Sequence, residues 1–181
     1  MIAPWSSKPN GVRDFAIGYP VNSSEAGFVV VTSGADGSAG VGGAGGAITF
    51  ANSSSAGSWT GGGCFNRGNL TSIGGNGTAG GGKGGDVKKD NAGASEDGPC
   101  VFASDILTHG GNGTAAAAPG AAGGGVRLIS RGGNLRVAGS ITTFGGTGNG
   151  AIGGNGGVIF LAADAIDASA STLIPNSAAS G

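Results

Sequence analysis

Apolar residues in this chain come in short bursts that return at near-regular intervals, separated by long stretches of small residues. The bursts open eight-residue strings that align without a gap: VVTSGADG from Val30, LTSIGGNG from Leu70, ILTHGGNG from Ile106 and ITTFGGTG from Ile141. Successive copies are 40, 36 and 35 residues apart, and self-similarity at such a period marks a repeat architecture. IDASAS, from Ile166, reads as a fifth, incomplete copy without its glycines, the form a terminal cap takes.

Each string is followed by a tract of small residues and then a second apolar run. The runs are AITF (47–50), VKK (87–89), VRLI (126–129) and VIFLA (158–162). β-Branched and aromatic content predicts strands for three of them, and VKK reads as a degenerate copy. The unit is therefore strand, glycine tract, strand, connecting loop.

The tracts carry a shorter period. Gly34, Gly37, Gly40, Gly43 and Gly46 recur at every third residue, as do Gly145, Gly148, Ala151, Gly154 and Gly157. Three residues per turn is the polyproline-II helix, which has no internal hydrogen bonds. A small residue at every third position lets such helices lie close together, where their free N–H and C=O groups pair between neighbours. The predicted fold is all-β and irregular: a solenoid-like repeat of polyglycine-II helices packed side by side with short strands, without significant α-helix. Its predicted limits are 28–171, after a segment 1–27 and before a tail 172–181.

Composition sharpens this reading. Glycine supplies 44 of 181 residues, against about 7% in ordinary proteins. Disordered chains combine low hydropathy with high net charge, whereas here mean hydropathy is slightly positive and the net charge is −1. An ordered glycine-rich body is expected. Near-neutral charge offers no long-range attraction to nucleic acid, and no apolar run approaches the ~18 residues of a membrane span. The start, MIAPWSSKPNG, lacks the pattern of a secretory signal.

Candidate chemistry is sparse. His109 is the sole histidine and shares its column with Ser33, Ile73 and Phe144, so it reads as a packing position rather than a catalyst. One histidine supports neither a Ser-His-Asp site nor a multi-histidine metal site. GGGKGGD (80–86) lacks the Ser or Thr of a phosphate loop, and it matches the calcium nonapeptide only in part. Asn-x-Ser/Thr occurs at Asn22, Asn52, Asn69, Asn76 and Asn112, as this composition alone would produce. No enzyme activity and no cofactor are expected. Cys64 and Cys100 are 36 residues apart, each six positions before an aligned copy. Equivalent positions in adjacent strands lie ~4.8 Å apart, within disulfide reach. Two buried free thiols are the other reading.

The variable part of the unit is the connecting loop, and in repeat proteins such insertions gather on one face, often the binding face. Trp59, Lys88, Lys89, Asp90, Glu96 and Asp97 are the candidate ligand contacts, against the plainer reading of solvated loops. The first 25 residues stand outside the repeat and hold Pro4, Trp5, Pro9, Phe15, Tyr19 and Pro20. Trp5, Phe15 and Tyr19 suit either docking to another subunit or capping of the first copy.

GGAGGAITF, GAAGGGVRLIS, GSITTFGG and GGNGGVIFLAADAI resemble the glycine-rich modules of bacteriophage tail-fibre and tail-tip proteins over about residues 28–171. The resemblance implies a virion structural or receptor-binding subunit, in a multi-copy assembly, that meets other subunits through residues 1–27. Its loops would meet a host receptor or glycan, and its location would be the virion or another extracellular surface. An exported microbial surface or filament protein is the alternative. A second resemblance, to springtail antifreeze proteins, implies ice binding, but VRLI and VIFLA depart from chains that are almost wholly glycine tract.

Overall fold

The computed structural model describes residues 15–18, 29–51, 64–66, 68–89, 100–130 and 133–176. Among them there is no helix; strands in three parallel sheets carry the fold, and no barrel closes. The strands are β1 (Phe15–Gly18), β2 (Val30–Val31), β3 (Ile48–Ala51), β4 (Cys64–Asn66), β5 (Leu70–Thr71), β6 (Val87–Lys89) and β7 (Cys100–Phe102). They continue as β8 (Ile106–Leu107), β9 (Val126–Ile129), β10 (Asn134–Val137), β11 (Ile141–Thr142), β12 (Ile159–Ala162), β13 (Ala165–Asp167) and β14 (Leu173–Ile174).

Chain order explains the sheets. The first sheet runs β1-β3-β6-β9-β12, the second β13-β10-β7-β4, the third β14-β11-β8-β5-β2. Each copy of the unit thus adds one strand to every sheet, and like positions stack in columns. Val30, Leu70, Ile106, Ile141 and Leu173 form one such column. Ile48, Val87, Val126 and Ile159 form another. The buried members of these columns meet Cys100, Phe102, Leu135 and Val137 of the second sheet in one core. Phe50 and Phe102 close it edge to face, with ring centroids 5.4 Å apart, a geometry aromatic pairs favour.

Between the third sheet and the first, each glycine tract runs out as one leg and back as another. Main-chain bonds join the legs in three directions. Gly34 and Gly37 donate to Ile73 and Asn76 of the next outgoing leg, and Gly42 and Gly45 to Gly80 and Lys83 of the next return leg. Within one tract Gly43 donates to Ala35 and Gly46 to Thr32, while Gly75 donates back to Gly43 of the preceding tract. The pattern recurs in later tracts, so backbone without regular secondary structure still satisfies its polar groups. At the turn of the last tract Gly150 has φ of 64°, a left-handed conformation that glycine adopts at no steric cost.

A column of hydroxyls locks each tract to the third sheet. Thr32 and Ser72 both donate to the Gly46 carbonyl, Thr108 to Gly124 and Thr143 to Gly157, each at 2.7 Å.

Four expectations need correction. VKK is not degenerate: β6 pairs with both β3 and β9. The fifth copy does not begin at Ile166, which pairs with Leu135 in the second sheet; Leu173 occupies the repeat column, beside Ile141. Residues 173–174 therefore belong to the layered body, not to a tail. The opening segment is not wholly outside it either, since Phe15–Gly18 lie in register on β3.

Candidate functional site

Of the six candidate loop residues, Lys88 and Lys89 are the two within the described chain; they sit side by side on β6 and point to opposite faces, as successive strand residues do. Lys88 is exposed and Lys89 is 1% exposed. Lys89 is therefore no surface ligand contact. It stands in the inward column between Phe50 and Leu128 and donates through Nζ to the Ile129 carbonyl at 2.7 Å. Burying an ammonium is tolerable only with hydrogen-bond partners, and the neighbouring strand supplies one.

On the outer face, Lys88 follows Thr49 in a column continued by Arg127 and Phe160. The Lys88 ammonium lies 3.2 Å from Asp86 Oδ2, and the Arg127 guanidinium sits 4.6 Å above the centroid of the Phe160 ring. Asp86 Oδ1 also accepts the Gly125 amide at 2.9 Å. Partial burial opposes ionisation of Asp86, but the Gly125 amide and the Lys88 and Lys83 charges outweigh it and hold the carboxyl below its ordinary range. The result is a small cationic and aromatic strip on the first sheet. Sequence reading found Lys88 and missed Arg127 and Phe160. Only their spacing from the repeat origin could have put them in one column.

A second strip follows the outgoing legs. Asp36 Oδ1 accepts the Asn76 amide, Asn76 Oδ1 the Asn112 amide, and Asn112 Oδ1 the Thr147 amide, at 2.7 to 2.9 Å. These asparagines, dismissed as compositional, form an axial ladder from copy to copy. Beside it His109 and Phe144 stack with centroids 5.1 Å apart. His109 Nε2 is buried without a hydrogen-bond partner, and desolvation lowers the imidazole pKa below 6.5.

Cys64 and Cys100 are register partners on β4 and β7. Cys100 is disulfide-bonded, and Cys64 is the only other cysteine. Trp59, Asp90, Glu96, Asp97, Trp5 and Tyr19 lie outside the described residues. Phe15 is placed by its backbone in β1, at the edge of the first sheet. Among the described residues no three His, Cys, Asp or Glu side chains gather into a metal-binding group, and no helix is long and apolar enough to cross a membrane.

Comparison of the chain with protein families, with curated proteins and with solved structures finds no match.

Proposed function

We propose that this chain is a non-enzymatic structural and receptor-binding subunit of a virus particle, of the phage tail-fibre or fibre-tip kind, built as a solenoid of packed polyglycine-II legs. The observation that carries the reading is the bonding of the glycine legs in three directions at three-residue intervals. Such a lattice gives a body whose stiffness comes from the main chain rather than from a large apolar core. Its repeated contacts leave variation to the connecting loops and to the outer strip of Lys88, Arg127 and Phe160. A cation held over a ring beside an exposed ammonium suits an anionic or glycan receptor.

The test is to fractionate particles from cells that make the chain and probe them with an antibody against it. The proposal expects co-sedimentation with intact particles, many copies in each, and label at a fibre or tip. Recovery only with the envelope of uninfected cells contradicts it and favours an exported surface protein. Thermal hysteresis in the purified chain would favour ice binding.

A further inference from the structure

The layered body ends with core positions uncovered. Leu173 and Ile166 occupy the columns of Ile141 and Leu135, which are 0% and 1% exposed, yet they are 41% and 46% exposed themselves. Ile152, Val158 and Phe160 are exposed at the same end, and Gly153 and Gly156, in the columns of Gly120 and Gly123, find no main-chain acceptor among the described residues. At the opposite end Val29 and Val31 are exposed. An apolar terminal layer is a liability for a repeat protein, whose end units are ordinarily polar outside.

We infer that a second copy of this chain docks head to tail on this end, adding its β1 to β12 and its β2 to β14. This rests on the layered-repeat reading and not on the virion setting. The occupant follows from continuity with the contact between layers inside the chain. β1 and β12 are the two edges of the first sheet, and β2 and β14 the two edges of the third. β1 on β12 raises the incoming copy by five layers, and β2 on β14 demands the same five. One movement therefore completes both parallel ladders and covers Leu173 with the Val30 column. Because the two surfaces differ, the contact is heterologous and does not close on itself.

Pro175 weakens this junction. It stands in the column of Thr143, whose N–H donates to Ile174, and proline has no N–H to give. Association between copies is accordingly weaker than packing between layers of one chain.

Sedimentation velocity of the full chain tests this. The expected mass rises from 16.8 kDa with concentration and reaches no fixed limit. Leu173→Lys blocks one end. Val31→Pro blocks the other by removing the N–H at the open edge, since Val30 and Thr32 are the residues that donate to β5. Each variant alone should stay monomeric, while an equimolar mixture should form a dimer and nothing larger. Pro175→Thr should tighten association roughly 2- to 10-fold, the weight of one net backbone hydrogen bond. A wild-type chain monomeric at all concentrations, single variants that still associate, or a mixture that stays monomeric would overturn the docking. If such a monomer keeps its Cys64–Cys100 bond and cooperative unfolding, the layered repeat stands and only the docking falls.

Discussion

A methyl group added to Gly145 would collide with the carbonyl oxygen of Gly154 in its own return leg, whereas one added to Gly40 would meet nothing within 4 Å. Both belong to the three-residue glycine period, so the period over-counts: the Gly40 carbonyl accepts the Ala79 amide of the next tract, but the side where a Cβ would stand is open. Gly145→Ala should cost about 1–3 kcal/mol or more by overpacking, and Gly40→Ala less than about 0.5 kcal/mol. Urea unfolding of the two variants measures the difference, and equal costs would contradict the leg-to-leg packing. His109 carries a pH signature at the same scale. Its folded pKa is lowered by desolvation, so the unfolded chain binds the proton more readily. The contribution of neutral His109 is full above about pH 6.5 and is lost as pH falls through the folded value. Stability should drop between pH 7.5 and 5, and His109→Phe, which borrows the residue of the next column position, should flatten that drop. Asp86 works in a lower window, below 3.8, and leaves this one clear.

The strands show where sequence patterning is sufficient and where it misleads. The β-branched runs at 126–129 and 158–162 are legible because their apolar residues alternate or cluster as strands require. VKK at 87–89 is not, because the pattern treats lysine as outward, while Lys89 faces the core and is satisfied by the Ile129 carbonyl. Lys89→Ala should destabilise by ~1–3 kcal/mol, the cost of leaving a buried carbonyl unpaired; Lys88→Ala should stay within about 0.5 kcal/mol. The cysteines were legible through the repeat offset alone, since parallel register sets equal positions of consecutive copies side by side. Reduction, or replacement of both by serine, should cost roughly 3–4 kcal/mol in the chain-entropy account. The check is the shift in urea midpoint with and without reductant, and no shift would mean that the bridge spans positions already held together in the unfolded chain.

For the whole molecule, the order of the unit and four of its copies could be read from the chain, because equal spacing and equal glycine phase survive variation in the loops. The fifth copy was misplaced at Ile166: an apolar residue followed by small ones looks like a tract start, but only pairing shows that Leu173 holds that column. The outer strip escaped for a related reason, since two cations and a ring at Lys88, Arg127 and Phe160 make no common motif and meet only through stacking. The central claim is that the glycine tracts are hydrogen-bonded legs and not loops. Amide exchange over 110–114 tests it most directly. Gly110 donates to Phe144, Gly111 to Gly82, Asn112 to the Asn76 side chain, Gly113 to Thr147 and Thr114 to Gly77. All five amides should be protected together, at a level comparable with the core strand Val126–Ile129, although they belong to no helix or strand. Exchange of these five at the rate of exposed loop amides would contradict the account.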